Sequence, residues 1–174
     1  MQSKKAIHSW SEMLKSQILI EGPDCSGKTT LVERLKNELH WDAKSLHHVK
    51  GNQFKRYLRE YALQEQTIFN RGHYSEAAYG ELWRGADPFS PEEKNILDQI
   101  CRQNMIIIFA CPSLEILQQR YQQRNFPQQI KYEELGAIRK NFCELMQDVP
   151  NLLYQSASYE ELQSLLEQVT GLVK

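Results

Sequence analysis

Two short stretches of the sequence concentrate the residue types that can do chemistry. The first, GPDCSGKT from Gly22 to Thr29, sets two glycines around four other residues and follows them with lysine and threonine. Glycines let the backbone curl so that successive N–H groups point at one place, and a helix opening just beyond adds the positive end of its dipole. Phosphate oxygens fit such a place. In the pattern G-x-x-x-x-G-K-[ST] the lysine reaches the β- and γ-phosphates of a nucleoside triphosphate and the hydroxyl ligates Mg²⁺. The polyphosphate is therefore expected against Gly22, Pro23, Asp24, Cys25, Ser26, Gly27, Lys28, Thr29 and Thr30, with Lys28 as the reacting cation and Thr29 as metal ligand. Cys25 reads as a small filler whose backbone N–H matters more than its thiol.

The second stretch is FNRGHYSEAAYG, Phe69 to Gly80. Arg71 follows an apolar run, and its planar fork suits a phosphate monoester dianion. If that run is a strand beside the first in a parallel sheet, Arg71 stands at the crevice where such sheets bind ligands. Neither this run nor the one ending at Cys111 finishes on aspartate, and no asparagine-lysine-x-aspartate motif occurs, so a switch GTPase or a mechanical ATPase is disfavoured.

Short apolar runs alternating with helical patterns must position these residues, which predicts an α/β fold around a parallel sheet. Strands are expected at Gln17–Glu21, Leu46–Lys50, Thr67–Asn70, Met105–Cys111 and Leu152–Gln155. Thr29 to Leu39 puts Val32, Leu35 and Leu39 on one helical face. Capping boxes at Ser90–Glu93 and Ser158–Glu161 open two more helices, one running to about Gln103 and one ending before Gly171. The glutamine-rich QQRYQQRNFPQQ, Gln118 to Gln129, reads as a solvated excursion.

The chain has 174 residues and a net charge of −1, enough for one substantial core and too little positive charge for the basic stripe that nucleic acid requires. No run is long enough for a membrane span, and the start shows no secretory pattern. Four cysteines without zinc spacing read as reduced thiols, so a cytoplasmic protein is expected. Residues 1–16 form an extension in which Ile7, Trp10 and Leu14 have helical spacing, suited to a short helix or a homodimer contact, and residues 17–174 form the domain.

The residues resemble a known family. ILIEGPDCSGKTTL is similar to the opening of thymidylate kinases, and FNRGHYSEAAYGELWRG resembles their second signature, especially in compact viral and phage versions; LEILQQRYQQR is a looser match to the arginine-bearing lid. The resemblance implies a three-layer P-loop kinase fold, with five parallel strands, helices on both faces and a short lid at about 118–134. It implies that Asp24 faces the acceptor sugar's 3′-hydroxyl and helps organise Mg²⁺ through water, and that Arg71 binds the acceptor monophosphate. Tyr79 would pack where a 2′-hydroxyl would project, favouring deoxynucleotides. Asn70, His73, Ser75 and Glu76 fall in the same pocket lining, while Arg124 would lie over the adenine or the transferring phosphates with Arg120 behind it. Asn70 departs from the family's aspartate and supplies no charge to the metal. Arg84, Arg56 and Lys55 read as a solvated face, and His47 and His48 as strand-end residues.

The expected activity is ATP-dependent phosphoryl transfer to a deoxynucleoside monophosphate, with Mg²⁺ as cofactor, ATP as donor and small nucleotides as the only partners besides a second copy. A deoxynucleoside kinase is the alternative, weakened because SLHHVKGNQ carries no acid to deprotonate a sugar hydroxyl. A weakly catalytic nucleotide-binding regulatory module is the alternative of another class. The acceptor's base is not legible.

Overall fold

The computed structural model describes residues 15–62, 66–124 and 130–173. Most of the N-terminal extension and the middle of the expected lid thus lie outside the described residues. Among the described residues five strands form one parallel sheet in the order β2-β3-β1-β4-β5: β1 Gln17–Glu21, β2 Asp42–Ser45, β3 Thr67–Asn70, β4 Met105–Ala110 and β5 Leu152–Tyr154. Among the described residues seven α-helices flank them: α1 Lys28–Leu39, α2 Gln53–Ala62, α3 His73–Arg84, α4 Pro91–Asn104, α5 Leu114–Gln122, α6 Leu135–Met146 and α7 Tyr159–Leu172.

Every residue of β1 and β4 is buried, because both strands are covered on two faces. Alternate side chains divide between two cores. Leu19, Phe69, Ile107 and Phe109 pack with Tyr57, Tyr61, Tyr74 and Phe142 from α2, α3 and α6. Ile18, Ile20, Ile68 and Ile108 pack with Leu31 and Leu35 of α1 and Leu162, Leu165 and Val169 of α7. The result is three layers, and it places the phosphate loop at the end of the central strand.

The chain crosses from β1 to one side of the sheet for β2 and β3 and returns past β1 for β4. The ends of β1, β3 and β4 therefore bound the crevice at a topological switch point.

β2 corrects the expected strand at Leu46–Lys50. The strand is DAKS, exposed at all four positions. An edge strand kept polar resists pairing with other chains and carries no apolar signature. Leu46 is instead the buried residue just past it, its N–H bonded to the Asn70 carbonyl at 3.1 Å.

The Ser90 cap forms as a full box: Ser90 Oγ accepts from the Glu93 N–H at 3.2 Å, and Glu93 accepts from the Ser90 N–H at 3.1 Å. At α7, Ser158 Oγ accepts from the Glu161 N–H, but the Glu161 carboxylate turns to the N–H groups of Gln155 and Ala157. That pins the loop holding Ser156, which borders the site described next. The helix also runs through Gly171 to Leu172, since nothing at that glycine forces a left-handed turn.

Candidate active site

The loop between β1 and α1 needs its glycines. Gly22 has φ 143°, and a Cβ there would sit 2.1 Å from the Ala110 carbonyl oxygen of β4. Cys25 also adopts a left-handed φ of 67°, a conformation costly for a non-glycine residue and characteristic of functional loops. Lys28 bridges the loop from inside. Its ammonium donates to the carbonyls of Gly22 at 2.7 Å and Pro23 at 2.5 Å and to Ser26 Oγ at 3.3 Å. Burial, aided by the neighbouring Arg71 charge, pulls its pKa down to about 7, against the attraction of Asp24 and Glu21. A bound polyphosphate would supply the missing anions.

Arg71, at the carboxyl end of β3, has φ 72°, and its N–H donates to the Ile20 carbonyl of β1 at 3.0 Å. That left-handed turn carries the guanidinium towards the loop. It donates to Asp24 Oδ1 and lies over the Tyr79 ring at 5.1 Å. The Tyr79 hydroxyl donates to Asp24 Oδ2 at 2.9 Å and accepts from the Asp24 N–H at 3.0 Å. Although burial opposes its ionisation, Arg71, Lys28 and Tyr79 together hold the Asp24 carboxyl below its ordinary range. Three residues from the loop, β3 and α3 are thereby fixed in one cluster.

Asp24, Arg71 and Tyr79 line a cavity of about 360 Å³, together with Leu46, His47, His48, Ser75, Glu76, Trp83 and Arg84. A second cavity, about 380 Å³, is lined by Cys25, Gly27, Thr30, Arg120, Arg124 and Ser156 among others. Both volumes fall in the range of small-ligand sites. The cavities meet the phosphate loop at consecutive residues, Asp24 and Cys25. Two ligands could thus touch one loop from two sides.

On the second side, Arg120 of α5 donates to the Cys25 carbonyl at 3.3 Å and to the Ser156 carbonyl and hydroxyl at 2.8 and 3.0 Å. It ties the loop to the segment after β5. Burial raises the Cys25 thiol's pKa, so the residue offers no thiolate nucleophile.

Glu21, the last residue of β1, carried no signal in the sequence and turns out to be fully buried beneath the site. Its carboxyl accepts from the Ser75 hydroxyl and the Ser75 N–H. Gly72 makes room for it, since a Cβ there would lie 2.9 Å from Glu21 Oε1 and 2.5 Å from the Tyr61 hydroxyl. Burial pushes the Glu21 pKa from 4.5 up to about 7, opposed by the Ser75 hydrogen bonds and the charges of Arg71 and Lys28. A carboxyl whose folded pKa exceeds its unfolded one costs stability progressively as pH rises from the unfolded to the folded value. Glu21→Gln is therefore expected to match the parent's Tm near pH 4 and to exceed it by about 5 °C at pH 8, measured by thermal unfolding across that range.

Of the residues expected in the acceptor pocket, Asp24, Arg71, Ser75, Glu76 and Tyr79 line the first cavity. His73 does not, which corrects the sequence reading. It is wholly buried, its Nε2 on Asp98 at 2.9 Å and its Nδ1 on the Tyr61 hydroxyl at 3.1 Å. The ionised Asp98 carboxylate can only accept, so Nε2 carries the proton and Nδ1 accepts from the Tyr61 hydroxyl, whose oxygen in turn accepts from the His73 N–H. Burial keeps this imidazole's pKa below the ordinary value, as suits a neutral core bridge. Asn70 also lies outside the lining: its Nδ2 donates to Ser45 Oγ at 3.3 Å, bracing β3 against β2. Conversely, His47, His48 and Arg84 do line the cavity, as does Trp83, which the sequence did not single out.

A magnesium ion needs oxygen ligands, and substrate phosphates and water commonly supply most of them. Among the described residues no cluster of three or more acidic, histidine or cysteine side chains could hold a metal unaided. The exposed Thr29 hydroxyl at the start of α1 and the Asp24 carboxylate fit the lesser role of holding an ion that arrives with a nucleotide.

The fold is that of P-loop kinases. The YorR protein of Bacillus subtilis, solved with phosphorylated GDP, superposes with a TM-score of 0.76 over 90% of this chain and 94% of its own, at 16% identity. Deoxyadenosine kinase of M. mycoides, solved with dCTP, gives 0.61 over 89% and 99%, also at 16% identity. A gluconokinase of Sinorhizobium meliloti gives 0.56 over 91% and 97%, at 10% identity. No family model and no curated protein matches the chain. No helix among the described residues is long and apolar enough to cross a membrane.

Proposed function

We propose that the protein transfers the γ-phosphoryl group of ATP to a deoxynucleoside monophosphate. The observation that carries this is Arg71: a guanidinium clamped by Asp24 and Tyr79, lining a cavity that adjoins the phosphate loop. A phosphate monoester is the acceptor such a fork suits best. The solved neighbours that bind dCTP and phosphorylated GDP support nucleotide ligands in this fold.

In this reading ATP occupies the loop and the second cavity, its base towards Arg124 and its phosphates against the loop N–H groups. Lys28 leaves its carbonyl partners for the β- and γ-phosphates. Magnesium, held by Thr29 and through water by Asp24, would offset charge between them. Arg71 aligns the acceptor phosphate in line with the γ-phosphorus, and Arg120 and Arg124 add positive charge beside the transferring group. An acceptor phosphate with a second pKa near ~6 is already mostly ionised at neutral pH, so no strong general base is needed. Catalysis then consists of positioning and electrostatic stabilisation.

A deoxynucleoside kinase is the second reading, favoured by Asp24, a cavity carboxylate that could take a proton from a sugar hydroxyl. Scoring ADP release from ATP against a panel of monophosphates and nucleosides decides between them. Stimulation by monophosphates alone is expected; stimulation by nucleosides alone would replace this function with the second. ATP binding without stimulated release by any acceptor would leave a nucleotide-binding module.

Tyr79 fills the space beside the clamp, where a 2′-hydroxyl would collide. Tyr79→Ala is expected to reduce the kcat/KM preference for deoxy over ribo acceptors by about tenfold, the order of effect that one polar or steric contact provides. An unchanged ratio would remove this role from the residue.

A further inference from the structure

We propose that Glu76, seated by Arg84 and His48, reads the acceptor's base and selects guanine while rejecting thymine. This rests on the first cavity being the acceptor site.

The cavity's polar groups fall into two sets. Asp24, Arg71 and Tyr79 bond to one another and to the loop. The second set is separate. Arg84 donates to Glu76 Oε1 at 2.9 Å and to the Glu76 carbonyl at 3.0 Å, and His48 Nδ1 meets the same Oε1. Among the described residues, no side-chain hydrogen bond joins this set to Lys28, Asp24 or Arg71. With the phosphate end accounted for by the first set, the second faces the rest of the acceptor.

Glu76 is only 4% exposed, and burying a carboxylate is costly unless cations and hydrogen bonds compensate it. Arg84 and His48 provide that at Oε1. Among the described residues no donor reaches Oε2, and the Arg84 Nε and Nη1 groups have no hydrogen-bond acceptor either. The cavity wall thus offers an acceptor-only carboxylate with guanidinium N–H groups beside it.

Guanine presents a complementary edge: the O6 carbonyl, then N1–H, then the 2-amino group. Its carbonyl can accept from Arg84 while its two adjacent N–H donors meet the carboxylate. Thymine has only one N–H, between two carbonyls, so one carbonyl would be forced against a carboxylate oxygen. Adenine and cytosine offer one amino group each, flanked by a ring-nitrogen acceptor, and gain less. A flat surface for the base is also present. Trp83 lines the same cavity, is 42% exposed and packs on Tyr79 with ring centroids 4.8 Å apart. The spacing of Glu76, Tyr79 and Trp83 puts all three on one side of α3.

The test is calorimetric binding of dGMP, dIMP and dTMP to the full chain. In the parent, dIMP, which lacks only the 2-amino group, is expected to bind about tenfold more weakly than dGMP, and dTMP about a hundredfold more weakly. Glu76→Gln, whose amide can donate as well as accept, should bring dGMP and dTMP within about tenfold of each other. Arg84→Met should weaken dGMP and dIMP alike and leave their ratio unchanged, because both carry O6. Equal binding of dGMP and dIMP by the parent, or a dGMP-to-dTMP ratio unmoved in a folded Glu76→Gln variant, would overturn the proposal. If the base preferences fail while Arg71→Ala still weakens every monophosphate, base reading alone falls. If Arg71→Ala changes no affinity, the acceptor site falls with it.

Discussion

Lys28→Ala is expected to lower kcat by about a thousandfold, with thermal stability equal to or above the parent's. Removing a single preorganised charge-stabilising group from a transition state typically costs about 10²–10³ in rate, and here no other loop side chain can take its place: Ser26 and Thr29 are neutral. The stability half of the result follows from burial. Lys28 is fully enclosed, and its pKa falls from 10.5 to about 7 because burial and the nearby Arg71 charge disfavour the ammonium. A lysine whose folded pKa lies below its unfolded one destabilises the fold fully at pH below about 7, and that cost fades as pH rises towards the unfolded value. Alanine carries no such cost, and its expected Tm advantage shrinks between pH 7 and pH 9. Against this stands the loss of three hydrogen bonds that tie the loop together. Single-turnover assays beside melting curves separate the two effects. A variant that is both unstable and inactive would show that Lys28 chiefly braces the loop. The same depressed pKa has a second consequence: at pH 8 a triphosphate should bind with proton uptake, read from calorimetry in buffers of different ionisation enthalpy.

The parts of this site legible in the sequence are those in which local chemistry and chain position coincide. The glycine spacing of the loop, the strand at Gln17–Glu21 and the cap at Ser90 are each specified by residues within a few positions of one another, and the structure forms them where expected. Edge strand β2 was misplaced because an exposed strand needs no apolar residues. The first cavity, the proposed acceptor site, was half legible. Arg71 and Tyr79 were marked by their motif, but motif membership does not say which way a side chain points. His73, two positions from Arg71, turns into the core towards Asp98, whereas Glu76, one helical turn further, faces the cavity. Glu21 and Trp83 were missed for opposite reasons. A glutamate ending a strand looks solvated until Gly72 and Ser75 of a different segment enclose it, and an exposed tryptophan means little until Tyr79 and the cavity are seen beside it. Arg84 and His48 likewise acquire meaning only through Glu76, which the chain brings to them across distances in sequence of 8 and 28 residues.

Arg71→Ala should separate acceptor use from donor binding. The acceptor KM is expected to rise about a hundredfold and kcat to fall about tenfold, while ATP affinity changes less than about threefold. The guanidinium is charge-paired and hydrogen-bonded, and losing its contacts with a bound dianion removes two charge-assisted hydrogen bonds at roughly 1.5–3 kcal/mol each, offset in part by water that replaces them. Asp24 is affected as well. Its carboxyl is kept ionised by Arg71 before any other residue, so without that charge its pKa should rise. At mildly acidic pH the variant's activity should therefore fall further than the parent's. Arg71→Lys keeps the charge and loses the fork. An intermediate acceptor KM, about tenfold above the parent's, with Asp24 still ionised, would show that geometry and charge contribute separately. The Tyr79 ring, over which Arg71 lies, gives a check independent of kinetics: the guanidinium charge favours the phenolate, so the ultraviolet titration of Tyr79 should shift upward in Arg71→Ala. A shifted tyrosine titration with an unchanged acceptor KM would mean that the clamp seen here serves the fold alone, and that the acceptor phosphate is bound elsewhere.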